Sequence, residues 1–310
     1  MKELHVLSAI DKDYSWCFDQ WLYDRESFQI INNELPQFQF YLVNLKERKV
    51  YGCIAFEVLE GKAISHTNAP FGGFSFSEGL AFEEQLYFTI EVNRLLKEKG
   101  IDQVLIHQSP MLKDVQKAFL ERLAFLGFEE IRNRAYQILP LIKAYEASLH
   151  EMEKRKLRKA EQKMLRFEWA PESKLKEVLG FVEEQSSLLG YDFSMSWIQL
   201  REYQQKFNGH YLGATVWDNE WLVAAAILVI ESAEMIYQFA PAHLKSYNKY
   251  SPVVYMTQQI FEWAKGEGFQ WLNLGTSYLG LDKNEGLYQF KQNLGAETFF
   301  APSLQKVINS

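Results

Sequence analysis

The apolar positions of this chain alternate between two periods, and the order of the switches predicts its elements. HVLSA reads as a strand. Residues 13–24 read as a helix, with Trp16, Phe18, Trp21 and Leu22 on one apolar side. QFYLVNL and VYGCIAFEVL are strands around the charged turn Lys46-Glu47-Arg48-Lys49, and AISHTNA is a third strand. A long helix over 81–99 ends at Gly100, which suits a left-handed C-cap. VLIHQ is then a strand and 112–125 a helix, and GFEEI and AYQILPL are a closing strand pair.

The second half predicts the same order. Residues 173–188 and 197–207 are helices. YLGATVWD and WLVAAAILVIE are strands around an Asp-Asn turn, and AEMIYQFA is the third strand. Residues 250–267 form the long helix, WLNLG a strand, 284–294 a helix, and ETFFA and LQKVI the closing strands. The landmarks keep register: Gly100 with Gly268, Ser109 with Ser277 and Gly127 with Gly295 lie 168 residues apart. The predicted class is α/β (α+β), one fold written twice, each copy a mixed central sheet flanked by helices. The expected division is 1–142, a connecting helix over 143–165, and 166–310.

Composition narrows the function classes. The chain has 310 residues and is 47% hydrophobic, with 23 Phe, 16 Tyr and 8 Trp, enough apolar surface to exclude a disordered chain. Its net charge of −7 argues against nonspecific binding to nucleic acid or anionic membrane. Against that average stand five cations in six residues at 154–159, with Arg155, Arg158 and Lys159 on one helical face. The bland reading of that face is a solvated helix; the functional one is a phosphate contact. Cys17 and Cys53 fit no disulfide framework or metal spacing, and the six histidines show no metal spacing either, so no metal is expected. The longest apolar run, Leu222 to Ile230, is too short to span a bilayer, and no apolar signal core precedes the first charges. Cytoplasm is the expected compartment.

AFLERLAFLGFEE (Ala118 to Glu130) resembles the last helix and the Gly-Phe strand entry of the GNAT acyltransferase superfamily. Two such units joined by a basic helix resemble the FemABX peptidoglycan-bridge aminoacyltransferases, and Trp271 to Glu297, with its Phe-Lys-x-x-Leu-Gly, is the most specific match. The long helical-hairpin insert of some Fem factors has no room here, which favours a compact relative.

The resemblance implies an acyltransferase that moves an acyl or aminoacyl group from an activated ester or thioester to an acceptor amine. No cofactor is expected to be permanently bound. The donor would be aminoacyl-tRNA or acyl-CoA, and the acceptor a cell-wall precursor or another amine. An acyl-CoA-dependent N-acetyltransferase and a degenerate pair serving as a binding module are the alternatives. The resemblance assigns Lys291 to the oxyanion, where a fixed cation supports a developing negative charge. Tyr288, one turn earlier, is a candidate proton donor. GNAT enzymes hold a pyrophosphate on a glycine loop at a helix start. Gly72 and Gly73 occupy that position in the first half, as a cradle or a plain tight turn. The second half has no glycine there and offers Lys249 instead. Asn273 and Gly275 are expected at the splay of the sheet, in the donor cleft, and His107 at the matching strand end is a candidate base. Arg155, Arg158 and Lys159 would bind the phosphates of an acceptor, a carrier or a tRNA stem.

Overall fold

The computed structural model describes residues 3–26, 28, 35–67, 69–190, 194–279 and 282–308. Its strands are β1 (Leu4–Leu7), β2 (Ser15–Trp16), β3 (Gln37–Asn44), β4 (Lys49–Leu59), β5 (Lys62–Ile64), β6 (Ser75–Phe76), β7 (Gln103–His107) and β8 (Glu129–Pro140). Then follow β9 (Arg166–Ala170), β10 (Tyr211–Asp218), β11 (Trp221–Ile230), β12 (Met235–His243), β13 (Trp271–Thr276), β14 (Tyr278–Leu279), β15 (Asp282–Lys283) and β16 (Glu297–Val307). The helices are α1 (Phe82–Glu98), α2 (Lys113–Phe125), α3 (Tyr145–Ser148), α4 (Glu151–Gln162), α5 (Leu175–Leu188), α6 (Trp197–Lys206), α7 (Pro252–Gly266) and α8 (Glu285–Asn293).

The chain forms two compact units, residues 1–135 with 299–310, and residues 136–298. The expected boundary near 142 therefore differs from the compact units, because each closing strand divides. β8 starts in unit 1 and finishes in unit 2, where Pro140, Leu139 and Ile138 pair antiparallel with Trp271, Leu272 and Asn273. β16 does the reverse: Ser303 to Val307 pair with His107 to Gln103 in unit 1. The closing strand pairs read from the sequence are thus single long strands.

In unit 1 the sheet runs β1-β3-β4-β5-β7-β16. Phe88, Val92 and Leu96, four apart along α1, give that helix the buried stripe that covers it. In unit 2 the order is β8-β13-β12-β11-β10-β9. β11 is buried on both faces because α5 and α7 both pack against it, which explains the unbroken run LVAAAILV. Gly213 on β10 lets α5 approach: a Cβ there would lie 2.7 Å from Leu175 Cδ2. The repeat landmarks serve matching roles. Gly100 and Gly268 end α1 and α7, and Gly127 and Gly295 follow α2 and α8, all with positive φ.

Two predicted helices are corrected. Residues 13–24 hold β2, paired in parallel with Lys49 and Val50, and a 3-10 turn at Leu22–Asp24. Tyr14, Trp16 and Phe18 recur every second residue and pack on Tyr41, Val43, Val50 and Cys53, so the operative period is two. The connecting segment is broken between α3 and α4. Leu149 and Tyr145 are pulled into the unit 2 core there, and the His150 amide donates to Asn293 O at the end of α8 (2.8 Å).

Candidate functional site

Each unit contains a short parallel strand pair at the strand that follows its long helix, and unit 1 has a second, β2 with β4. In unit 1, β5 pairs with β7 from Lys62↔Gln103 to Ile64↔Leu105; in unit 2, β12 pairs with β13 from Met235↔Trp271 to Tyr237↔Asn273. Beyond the end of each pair the two units diverge.

Unit 1 closes the gap with its own chain. The Ser65 amide donates to Leu105 O and the Gly72 amide to His107 O (2.9 and 2.7 Å). The Gln108 side chain exchanges two hydrogen bonds with the Phe74 backbone. Gly72 and Gly73 are buried, so they do not present amides to a ligand; they make a tight turn under His66 and Gln108. His66 is held in turn by Asp24 (3.3 Å), whose other oxygen accepts from Ser75 Oγ (2.6 Å). A Cβ on Gly72 would lie 1.7 Å from His66 Cδ2. Gly72→Ala is expected to destabilise unit 1 by about 1–3 kcal/mol through overpacking, checked by urea unfolding, while Gly79→Ala, where a Cβ meets open space but φ is +75°, reports the cost of the positive φ alone. His107 is half-buried with Nδ1 2.9 Å from Ser303 Oγ, and burial, with Arg134 nearby, lowers its pKa.

Unit 2 leaves the gap. Beyond Tyr237 and Asn273, β12 and β13 make no further ladder pair among the described residues. Asn273 is fully buried; its Nδ2 donates to Glu231 Oε2 (3.1 Å) and its Oδ1 accepts from the Gly275 amide (2.8 Å). Gly275 has φ +75° and sits against Tyr237, where a Cβ would meet the ring at 3.0 Å. That turn directs the carbonyls of Gly275 and Thr276 at Lys291, whose Nζ donates to both (3.0 and 2.7 Å).

On helical spacing alone, Leu287 belongs on the buried face of α8 and Lys291 at its edge. The structure exchanges them: Lys291 is 5% exposed and Leu287 37%. The reason is local, since the carbonyls turned by Gly275 accept only a donor. Both acceptors are neutral, and no carboxylate pairs with Lys291 among the described residues, so desolvation pushes its pKa down to about 7.

Unit 2 thus brings together Lys291, Gly275 and Asn273. Tyr288 lies one turn from Lys291, half-buried, with its hydroxyl 3.1 Å from Thr298 Oγ1 and Lys283 Nζ 3.6 Å from its ring centroid. Lys249 is not gathered in. It is exposed on a 3-10 helix, Lys245–Tyr250, with Nζ over the Tyr250 ring. On α4, Lys154 and Lys156 pair with Glu151 and Glu153, while Arg155, Arg158 and Lys159 are exposed. Glu231, Gln137 and Ser277 were missed. The signal was a polar residue inside or at the end of an apolar strand, which demands a buried partner.

Residues 198–300 match the model of the FemAB family, about one third of the chain. The crystal structure of FemX superposes with a TM-score of 0.68 at 13% identity, covering 93% of this chain and 91% of that one. The chain is FemABX-like. L-PGS from Bacillus licheniformis gives 0.58 at 15% identity, covering 87% and 83%. A tandem GNAT protein from the clavulanic acid biosynthesis pathway gives 0.50 at 10%, covering 89% and 84%. No curated protein matches by sequence. At these identities the likenesses establish the tandem-GNAT fold, and the FemAB segment contains the whole Asn273–Lys291 constellation. In this FemABX-like chain, no described helix is long and apolar enough to cross a membrane.

Proposed function

We propose that the chain is an acyltransferase that joins an acyl or aminoacyl group, carried as an activated ester or thioester, to an acceptor amine. One observation carries the reading: a buried lysine is fixed by two backbone carbonyls at the mouth of a strand pair that stops short. The amine nitrogen attacks the acyl carbon, and the carbonyl electron pair moves to oxygen. Lys291 Nζ has two acceptors among the described residues, which leaves one N–H for that oxygen, in a site dry enough for the charge to matter. Collapse expels the ester oxygen or the thiolate, and the attacking nitrogen loses its proton to water. Holding donor and acceptor in line supplies the rest of the acceleration.

The surroundings favour aminoacyl-tRNA as donor over acyl-CoA. A CoA pyrophosphate needs free backbone amides at the start of the long helix. Here the chain forms the Lys245–Tyr250 helix, where the Tyr247 amide donates to Leu244 O, and the Ser251 and Val254 amides are also bonded internally. The exposed Arg155, Arg158 and Lys159 offer the cationic face that a tRNA backbone needs. The acceptor amine would belong to a peptide such as a cell-wall precursor.

The deciding experiment supplies a mixture of radiolabelled aminoacyl-tRNAs, or labelled acetyl-CoA, with a lysine-containing peptide. Label moving to the peptide from tRNA is expected. Transfer from acetyl-CoA alone would replace this donor with acyl-CoA, and transfer from neither, with no binding of either donor, would leave a binding module. Replacing Arg155, Arg158 and Lys159 together by Glu is expected to weaken tRNA binding at least tenfold at low salt. It should also reduce the slope of log affinity against log salt by about 3, close to one for each phosphate no longer neutralised.

A further inference from the structure

We infer that Gln137 Nε2 is a second donor to the reacting oxygen, completing the site that Lys291 begins; the inference rests on the acyl-transfer reading above. Gln137 lies on the unit 2 part of β8 and is fully buried. Its Oε1 accepts from Ser277 Oγ at 2.7 Å, a length typical of a hydroxyl donor. Its Nε2 is buried and has no hydrogen-bond partner among the described residues.

Two features tie this amide to Lys291. Thr276 pairs with Tyr136, the residue before Gln137, and Lys291 Nζ donates to Thr276 O. Ser277, which holds Gln137, is the next residue after Thr276. Both donors are therefore anchored on the same two-residue stretch, immediately beyond the end of the β12–β13 pairing. An unpartnered amide donor in a dry interior costs about 1–3 kcal/mol. Core packing alone would place a Leu or Met on this strand, whose neighbours Ile138 and Leu139 are fully buried. The arrangement leaves donors in surplus: among the described residues, two N–H groups on Gln137 Nε2 and one on Lys291 Nζ find no acceptor. The ligand that satisfies a surplus of donors is an acceptor oxygen, the carbonyl of an acyl group, and it is satisfied better still as that oxygen gains charge.

The test is the paired variant Gln137→Leu/Ser277→Ala, which removes both members and leaves no orphaned hydroxyl. Turnover is expected to fall 10²- to 10³-fold with KM little changed, the loss typical of one oxyanion donor, and the thermal midpoint should not fall. Turnover within threefold of the parent would overturn the inference. A second measurement follows the side-chain amide resonance of Gln137 in ¹⁵N-glutamine-labelled protein. The probes are 3′-alanylamino-3′-deoxyadenosine and oxa(dethia)acetyl-CoA. A shift with either supports the site, and this arm decides if the paired variant is unstable or if the parent protein shows no transfer. No shift with either probe overturns the inference. Lys291→Ala separates the two levels: if it abolishes transfer while the paired variant does not, the acyl-transfer reading stands and the role of Gln137 falls; if Lys291→Ala keeps full turnover, both fall.

Discussion

Replacing Lys291 with Met is expected to slow acyl transfer severely while making the folded protein more stable. Loss of the cation beside the reacting oxygen should lower turnover by about 10²-fold or more. Stability should move the other way, because Lys291 is charged in the unfolded chain and penalised by burial in the folded one. Its pKa falls from 10.5 unfolded to about 7 folded. Between those values the unfolded state binds more protons, so stability rises with pH across that window and is lost again as pH falls through 7. Lys291→Met lacks this dependence. At pH 6 it should be more stable than the parent by about 1–3 kcal/mol, net of the pairing given up by the Gly275 and Thr276 carbonyls. Urea titrations at pH 6 and pH 10 read the effect directly. A variant that is less stable at pH 6 would show that the ammonium contributes to folding instead of function. The parent's kcat/KM should decline above pH 7, as the protonated form that holds the oxygen is depleted.

Asn273→Asp, an exchange of NH2 for O, should be strongly destabilising. It places a second carboxylate about 3 Å from Glu231 Oε2 in a fully buried pair. At pH 8 the expected loss is about 3–5 kcal/mol, the cost of an uncompensated buried charge. The loss should shrink as pH falls, because the two carboxyls can share a proton and the pair's pKa in the folded state is raised. The raised value means that stability is present at low pH and disappears as pH climbs through it. Circular dichroism melts at pH 5 and pH 8 test this, with Asn273→Ala as the uncharged comparison. Equal destabilisation at both values would remove the electrostatic explanation.

Much of the fold was legible because period and punctuation agreed. Gly100 and Gly268 ended predicted helices that the structure also ends there, and the apolar run at 222–230 became the strand covered on both faces. The strand at 15–16 was not legible as such, since tryptophan and phenylalanine two apart also fall within a loose helical stripe. Lys291 was legible as a residue but not in its setting. A helical wheel favours Leu287 as the buried side chain, and nothing local announces that a left-handed glycine sixteen residues earlier has turned two carbonyls toward the helix. Gln137 was harder still. One glutamine in AYQILPL reads as an ordinary alternation, and only the folded chain shows it buried with an amide nitrogen that has no partner among the described residues.

The divided closing strands set an order for synthesis. Residues 136–298 are contiguous, so unit 2 has every strand it needs once they have left the ribosome. Unit 1, although it begins the chain, lacks the β16 neighbour of β7 until residues 299–307 follow. The segment translated first must therefore wait with an open sheet edge for the whole length of the second unit, a delay of about 10–30 s at typical elongation rates. During that interval β7 can template non-native strand pairing, and a chaperone requirement confined to the nascent chain is the expected cellular consequence.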